Sequence, residues 1–373
     1  MVQRARLSGF DGFALGVLLT LLGIGVLTLY GIQPVNPLTQ ESLPYFFRQA
    51  IWILVGAVAF VLMASIDYHT LARFAYPIWM IAVVLLVGVL AAGRSIQGAR
   101  RWISLGFFSI QPSELAKIGL LFVLAKVLSD TPRRGGLSLP EMATPALLIG
   151  LPMLLILKQP DLGTGLALLS ISAAIIFVVG LRSKLLIYSL LFGMIAFPFF
   201  WLFFWNHLRD YQKARLLTFI NPAHDTSGAG YHIAQSKIAI GSGQLFGKGL
   251  FGGTQSQLKF LPEGHTDFVF AVFAEAWGFA GVAVMLILFL LLIVWGIEIA
   301  LRAKDRLGSL LAVGVVGLFS FHVIINIGMA LGSMPTVGIP LPLISYGGTA
   351  MVTTLGLFGL LLNIKLRRFT LFY

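Results

Sequence analysis

Long apolar runs separated by short polar segments dominate the chain. Uninterrupted hydrophobic runs of about 20 residues predict membrane-spanning helices, because in a bilayer each backbone N–H and C=O has to be satisfied within the protein. There are about ten such runs, which cover approximately 13–32, 49–66, 74–93, 113–129, 142–157, 162–181, 185–206, 268–297, 307–332 and 343–364. The pattern predicts an all-α polytopic membrane protein, with residues 1–373 forming a single membrane domain.

Two of the predicted spans are irregular. Run 142–157 is short and contains Pro145 and Pro152. Run 268–297 is long enough to tilt strongly or to project beyond a bilayer. Both are still expected to cross the membrane.

Segment 207–267, between predicted helices 7 and 8, is a long polar connection. It keeps several aromatic residues among its polar ones, which favours an ordered, functional segment over a disordered one. Within it, stretch 231–240 could lie as a short interfacial helix, with Tyr231, Ala234 and Ile238 on one side. The long segment is therefore where we expect the chemistry.

The composition fits a membrane protein, with 58% hydrophobic and only 11% charged residues.

A formal charge of +12 does not indicate nucleic-acid binding, because the basic residues are scattered and form no stripe with aromatics. Topology explains them better. If both termini are cytoplasmic, the inner loops hold Arg4, Arg6, Arg73, Arg133, Arg134, Arg182, Lys184, Arg302, Lys304, Arg306, Lys365, Arg367 and Arg368, whereas the short outer loops hold Arg48, Arg94, Arg100, Arg101 and Lys158. The positive-inside rule then places the long segment on the outer face.

Several kinds of site are excluded by the motifs. Cysteine is absent, which excludes a disulfide framework, a thiolate nucleophile and a Cys-ligated metal. The sequence has no H-E-x-x-H motif or comparable set of metal ligands, so no zinc site is predicted. The glycine-rich stretch 241–249 resembles a phosphate loop, but its spacing matches neither the P-loop nor the dinucleotide-binding pattern. No cofactor and no metal ligand are therefore predicted, and the use of a divalent cation is left open.

One acid stands where the long segment re-enters the membrane. Asp267 follows Leu-Pro-Glu-Gly-His-Thr and precedes an apolar run. An ionisable group at the mouth of a spanning segment costs free energy unless it is paired or faces water, so it is a functional candidate. Asp267 is interpreted as the cap of the following helix or as a general base, and the two roles can coexist, because capping fixes the geometry while partial burial raises the pKa.

Two further charged groups flank predicted spans. Glu114 and Lys117 have i, i+3 spacing, so they either neutralise each other or place Lys117 against a phosphate. Asp161 directly precedes run 162–181, where it either caps that helix or joins a salt-bridge network with Glu114 and Lys117.

Polar residues also occur deeper in the predicted helices. Glu275 lies eight residues beyond Asp267, about 80° around the helix axis, and both a structural ion pair and a catalytic role stay open. His322 and Asn326, four residues apart, are more typical of interhelical hydrogen bonds than of a metal site.

Basic and aromatic residues of the outer segments form a further group of candidates. Singly, each is explained as a loop charge near lipid head groups. Together they could clamp a pyrophosphate and stabilise it as a leaving group. The group comprises Arg100, Arg101, Trp102, Arg209, Arg215, Lys237, Lys248 and Lys259.

The motifs, taken together, closely resemble the SEDS family (shape, elongation, division and sporulation) along nearly the whole chain. The resemblance rests on stretches 98–103, 111–117, 159–164, 228–233, 235–241, 253–257, 261–268 and 342–348. Stretches 231–237 and 253–257 are closer to the elongation branch than to the division branch. One departure is visible, since Ala276 follows Glu275 where the family usually has a second acid, which points to Glu275 as the retained one.

The resemblance implies a peptidoglycan glycosyltransferase that polymerises lipid II into glycan strands at the outer face of the cytoplasmic membrane during cell elongation. Asp267 is then the expected base that activates the acceptor sugar hydroxyl. Substrate contacts are expected from the basic and aromatic group and from Glu114, Lys117, Asp161, His265 and Glu275.

The resemblance also implies partners, namely lipid II, the growing glycan strand, membrane lipids and a class B penicillin-binding transpeptidase. Two alternatives from other functional classes remain. The intramembrane charges Lys117 and Glu275 suit a lipid II flippase, and the helical bundle suits a non-catalytic scaffold for the transpeptidase.

Overall fold

The computed structural model describes residues 11–32, 43–96, 99–104, 109–131, 135–183, 185, 213, 228–258, 260–261 and 263–368. The helices, in chain order, are α1 (Gly12–Gly31), α2 (Tyr45–Ser65), α3 (Tyr68–Arg73), α4 (Ala75–Ala92), α5 (Pro112–Asp130), α6 (Leu139–Lys158), α7 (Leu162–Val179), α8 (Ala229–Ser242), α9 (Thr254–Gln257), α10 (Val269–Leu301), α11 (Arg306–Ala330) and α12 (Gly348–Leu366). Between α4 and α5 lie three short antiparallel strands in the order β1 (Arg94–Ile96), β2 (Ala99–Ser104) and β3 (Ser109–Ile110).

The predicted spans agree with these helices to within a few residues wherever the structure describes the chain. Seven helices of the described part, namely α1, α2, α6, α7, α10, α11 and α12, are long and apolar enough to cross a membrane. The predicted span 185–206 and most of segment 207–267 lie outside the described residues. The count of ten helices and the position of the long loop therefore stay predictions.

Helix α5 lies inside the bundle, in contact with α4, α6, α7 and α11. Its start is set by Pro112, which has no N–H to leave unpaired in the first turn. Residues around most of its circumference are buried, including Ser113, Glu114 and Lys117. The polar side chains of α5 therefore face protein and not lipid.

Helices α2 and α12 approach each other closely because glycines line their contact. A Cβ at Gly359 would stand 2.3 Å from the carbonyl oxygen of Phe60, and one at Gly348 would stand 2.4 Å from the ring of Trp52. Small residues are a common means of close helix packing in membranes. The contact brings Trp52 beside the start of α12.

Helix α10 is broken at Gly278, which has φ 65° and ψ −168°. The turn 243–249 forms hydrogen bonds with the backbone groups that the break leaves unpaired. The N–H groups of residues 279 and 280 donate to the carbonyls of Gln244 and Leu245 at 2.8 and 2.9 Å, and the N–H groups of Lys248 and residue 249 donate to the carbonyls of residues 275 and 276 at 3.0 Å each. The predicted long span is thus two helical pieces joined around an inserted turn.

The end of the bundle away from the strands, here called the far end, carries two polar networks. Asp11 caps α1 through the N–H of Ala14 at 3.3 Å, accepts from the Trp295 indole at 2.7 Å, and forms an ion pair with Lys365 of α12. Residues 11 and 365 therefore lie on the same side.

The second network at the far end joins α3 to the turn between α10 and α11. The ring nitrogens of His69 stand 2.9 Å from Asp67 Oδ1 and 2.9 Å from Asp305 Oδ2. The hydroxyl of Tyr68 donates to Asp305 at 2.5 Å.

Candidate functional site

A cavity of about 930 Å³ opens at the end of the bundle that carries the strands. It is bounded by α2, β2, the first turns of α5, α7 and α12, the middle of α11, and the turn that precedes α10. Its polar lining consists of Arg48, Arg101, Ser109, Gln111, Glu114, Lys117, Asp161, Thr164, Thr266, Asp267, His322, Tyr346 and Thr349. Its α2 wall presents Ile51, Trp52 and Val55 as apolar surface beside Arg48, and Leu43 lies just before that helix.

Asp267 lines this cavity from the turn 263–268. Its carbonyl oxygen accepts a hydrogen bond from the Asn326 side chain at 2.9 Å. Phe268, and not Asp267, is the N-cap residue of α10, and no side chain caps that helix. Gly338 faces the carboxyl group, since a Cβ there would stand 3.5 Å from Asp267 Oδ2, and its φ of 72° favours glycine. The side chain of Asp267 therefore lines the cavity from the position just before the N-cap residue of α10.

The backbone around Asp267 is held by the turn that precedes α12. The Ser345 hydroxyl donates to the carbonyl of Thr266 at 2.6 Å, and the N–H of Tyr346 donates to the carbonyl of His265 at 2.9 Å. Asn326 makes a second bond, to the carbonyl of residue 339 at 2.7 Å. The turn that carries the acid is thus fixed against two neighbouring elements.

Glu114 and Lys117 form a buried ion pair in the cavity, with Lys117 Nζ 2.8 Å from Glu114 Oε1. The second carboxylate oxygen, Oε2, is buried and has no hydrogen-bond partner among the described residues. Buried acceptors are normally satisfied, so this oxygen is available to a donor that enters the cavity. His322 of α11 lines the same cavity.

Asp161 caps α7 and also binds the strand region. Its carboxylate accepts from the N–H of Thr164 at 3.2 Å and from the Thr164 hydroxyl at 2.8 Å. Arg101 Nη1 stands 3.7 Å from Asp161 Oδ1, and the Gln111 amide donates to Oδ2 at 3.3 Å. Arg101 also donates to the carbonyls of residues 159 and 160. The capping role expected for Asp161 is present, and its ion pair is with Arg101.

The cavity brings together Asp267, Arg101, Trp102, Glu114, Lys117 and Asp161 from the predicted site residues. Four others lie outside its lining, namely Lys237, Lys248, His265 and Glu275. Arg209, Arg215, Lys259 and the side chain of Arg100 are outside the described part of the chain.

His265 lies beside the cavity wall and not in it. Its ring stacks on Tyr45 with a centroid distance of 4.3 Å. Burial lowers the pKa of His265 below its ordinary value, and the nearby Glu263 carboxylate opposes that shift only in part. The ring is therefore neutral at pH 7 and is suited to packing.

Arg48, Trp52, His322 and Tyr346 line the cavity but were not among the predicted site residues. Arg48 is a cation in the first turns of an otherwise apolar helix, and His322 is an ionisable residue deep in a span. Both carry the signal that marks functional residues in membrane helices.

The cavity can therefore perform acid–base chemistry on an amphipathic ligand. Asp267 offers a carboxylate, Arg48, Arg101 and Lys117 offer positive charge, and the α2 wall offers apolar surface. Among the described residues, no group of three or more His, Asp or Glu side chains is arranged to hold a metal ion.

Comparisons with protein families, with individual proteins and with solved structures give consistent results. Residues 13–369 match the model of a family described as cell cycle protein, named for FtsW, RodA and SpoVE. The chain is 39% identical over 348 residues to the peptidoglycan glycosyltransferase MrdB of Escherichia coli (strain K12). The match covers 93% of each chain.

Two solved structures resemble the fold. A chain reported under "Structural coordination of polymerization and crosslinking by a peptidoglycan synthase complex" is 33% identical, with a TM-score of 0.81, and covers 96% of this chain and 98% of that one. The rod shape determining protein RodA of Thermus thermophilus is 32% identical, with a TM-score of 0.71, and covers 97% of this chain and 98% of that one.

Proposed function

The chain belongs to the cell cycle protein family of FtsW, RodA and SpoVE, and from this premise we infer that it is a peptidoglycan glycosyltransferase. The resemblance drawn from the sequence motifs is confirmed, because the relatives match over nearly the whole chain. The single observation that carries the activity to this chain is a cavity that holds an aspartate, three basic side chains and an apolar wall. Such a cavity suits a sugar carried on a lipid pyrophosphate, which is the chemistry of lipid II.

In the proposed reaction, a sugar 4-hydroxyl attacks the anomeric carbon of the lipid-linked sugar. Asp267 takes the hydroxyl proton, the new C–O bond forms, and the bond to the pyrophosphate breaks with its electron pair leaving on the pyrophosphate oxygen. A positioned base contributes about 10²–10⁴-fold to such a step. The fixed turn around Asp267 supports this role, because a base is effective only when its position is maintained.

The departing pyrophosphate needs positive charge. We propose that Arg48, Arg101 and Lys117 supply it, since these three cations of the described part share one cavity with Asp267. Arginine suits phosphate oxygens through its planar fork of donors. Arg100, Arg209, Arg215 and Lys259 stay further candidates for the same task.

For the arrangement in the membrane, we propose ten spans, cytoplasmic termini and an outward-facing cavity. The far end joins residues 11 and 365, so both lie on one side. Residue 181 pairs with residue 137 at the far end, whereas α8 bonds to Ala330 at the cavity end. A span at 185–206, as the hydrophobic pattern predicts, would connect these two positions. The distribution of Lys and Arg supports the orientation.

We propose lipid II, the glycan strand and membrane lipids as ligands and a class B penicillin-binding transpeptidase as protein partner. The similarity to a chain from a peptidoglycan synthase complex supports the protein partner. No site is assigned to a divalent cation.

The test is polymerisation of lipid II by the purified protein in detergent, with the transpeptidase present or absent. We expect glycan strands from the wild type and a loss of about 10²–10⁴-fold in Asp267→Asn, because the amide takes no proton from the acceptor. Polymerisation in detergent needs no transbilayer movement, so strand formation separates the enzyme from a flippase.

The matched control is Asp130→Asn, which removes an exposed carboxylate at the far end of α5 and should leave the rate unchanged. Full activity of folded Asp267→Asn would refute the assignment of the base. A wild type that forms no strands with its partner present would refute the activity itself.

A further inference from the structure

Glu275 is a buried acid that the cavity does not use. Its side chain is fully buried, at 0% exposure, and it lies eight residues beyond Asp267 on the helical piece between the cavity turn and the break at Gly278. A buried carboxylate is costly unless several donors surround it. The groups that contact the Glu275 carboxylate therefore indicate its role.

Several donors converge on one oxygen of Glu275. Lys248 Nζ stands 2.9 Å from Oε1, the N–H groups of Thr254 and Gln255 donate to it at 2.8 and 3.2 Å, and the Thr254 hydroxyl lies at 3.2 Å. The Ser242 hydroxyl lies at 3.5 Å. These donors come from α8, from the turn inserted at the break and from α9.

The contacts of Glu275 close a loop around Asp267. The chain runs from Thr254, bonded to the carboxylate, through the turn 263–268 and back along α10 to Glu275 itself. On the other side, the Gln257 amide of α9 donates to the carbonyl of residue 31 at 2.6 Å. The segment that leads into the turn 263–268 is therefore fastened to α10 at Glu275 and to α1 through Gln257.

We propose that Glu275 is a positioning residue, whose buried carboxylate anchors loop 254–275 and so holds Asp267 at the cavity. It acts as a hydrogen-bond acceptor and neither exchanges a proton with the substrate nor binds it. The proposal rests on the proposed function only for its activity readout. A shift of about 1 Å in a reacting group can cost about 10²-fold in rate, so a loosened anchor should lower kcat.

The experiment compares Glu275→Gln with Glu275→Ala in lipid II polymerisation. Lys248, Thr254 and Gln255 all contact Oε1, and the amide oxygen of Gln can occupy the same position. Lys248 can return to water because its side chain is 29% exposed. We expect Glu275→Gln to keep kcat within about threefold of the wild type, with an unchanged pH–rate profile, and Glu275→Ala to lose about 10- to 100-fold in kcat with KM within about twofold. Glu298→Gln, at an exposed ion pair further along α10, is the matched control.

Three results would overturn the proposal. They are an inactive but folded Glu275→Gln, a fully active Glu275→Ala, and a Glu275→Ala whose defect lies in KM with kcat intact. If Glu275→Ala does not fold, Glu275→Asp replaces it. That variant keeps the charge and withdraws it by one methylene, so an activity equal to the wild type would equally count against the anchor.

Hydrogen–deuterium exchange tests the anchor without any activity. The amides of Thr254 and Gln255 and those of the turn 263–268 should exchange faster in Glu275→Ala than in Glu275→Gln. Equal exchange in both variants would overturn the proposal. A wild type that is inactive on lipid II would count against the proposed function alone.

Discussion

Lys117 is a deeply buried cation of the cavity, with its side chain 4% exposed beside Glu114. Its positive charge is paired with the Glu114 carboxylate, whose Oε1 lies 2.8 Å from Nζ. A buried pair is worth little relative to apolar replacements, but removing one partner leaves an uncompensated charge. With Lys117 as a proposed pyrophosphate contact, we expect stability and substrate binding to be coupled at this pair.

The coupling predicts a non-additive double-mutant cycle. Lys117→Met should lower the free energy of unfolding by about 3–5 kcal/mol, because the Glu114 carboxylate is left buried and unpaired. Adding Glu114→Gln should recover part of that loss while polymerisation stays low. Thermal unfolding in detergent measures the stability and the lipid II assay measures the activity.

Lys126→Met is the control for this cycle, because it removes a lysine on the same helix that stands 5.5 Å from the Tyr76 ring. It should cost no more than about 1 kcal/mol. Strictly additive losses in Lys117→Met and Glu114→Gln would argue that the pair carries no coupling.

At the scale of single residues, the sequence identifies polar candidate residues but not the contacts that their side chains make. Asp161 and Asp267 each precede an apolar run, so both could be interpreted as helix caps. Asp161 is the N-cap residue of α7 and caps it, whereas the N-cap residue of α10 is Phe268 and Asp267 lines the cavity. Arg48 was predicted only as a loop charge, since the cavity it lines exists only after α2 packs beside α12.

Among the elements, the break in α10 is the feature with the largest effect on the site. It places turn 243–249 against the helix and ends the piece that connects Asp267 to Glu275. The close fit there depends on glycine, since a Cβ at Gly278 would stand 2.3 Å from the backbone nitrogen of Gly247. The backbone region of Gly278 is also essentially restricted to glycine.

Gly278→Ala should therefore abolish folding. We expect loss of the monodisperse peak in size-exclusion chromatography, because the added methyl group both strains the backbone and expels the inserted turn. Gly88→Ala in α4 is the control, since a Cβ there meets nothing within 4 Å, and it should elute as the wild type. A folded, active Gly278→Ala would show that α10 can continue without the break.

Helix positions could largely be predicted from hydrophobic run length, but this break could not. Run 268–297 is apolar apart from Glu275, and a single glycine is common in membrane helices. The break is determined by the distant turn 243–249, which supplies the missing hydrogen bonds. The strands between α4 and α5 were also missed, because the segment 93–112 is short and polar and was interpreted as a loop.

For the whole molecule, the far end determines how the bundle closes. Asp11 receives donors from Trp295 of α10 and Lys365 of α12, so one carboxylate connects three helices. Burial raises the pKa of Asp11, but the hydrogen bonds from Lys365, the Ala14 N–H and Trp295 outweigh burial and hold the pKa below its ordinary value of 3.8. Burial likewise raises the pKa of Asp67, yet hydrogen bonds from His69 and the charge of Arg367 lower it overall.

These shifts predict loss of stability in acid. A carboxyl group with a lowered pKa in the folded state stabilises the fold above pH 3.8 and loses that contribution as the pH falls through the folded value. We expect the Tm of the detergent-solubilised protein to be little affected by these two groups from pH 8 to 5 and to fall below about pH 4.

Asp11→Asn should have a lower Tm at neutral pH and a smaller further loss in acid, because the titrating group is gone. Asp130→Asn, which is exposed at the same end, should follow the wild-type curve. Parallel curves for Asp11→Asn and the wild type would show that Asp11 does not contribute to the acid transition.

The ion pair between Asp11 and Lys365 spans 354 positions, which has a consequence for biosynthesis. By the time the ribosome adds Lys365, it has already made every described helix except the last turn of α12. Until then, the carboxylate at the start of α1 has no lysine to neutralise it. Final closure of the bundle thus waits for the synthesis of α12, and a chain released before α12 lacks this ion pair at its first helix.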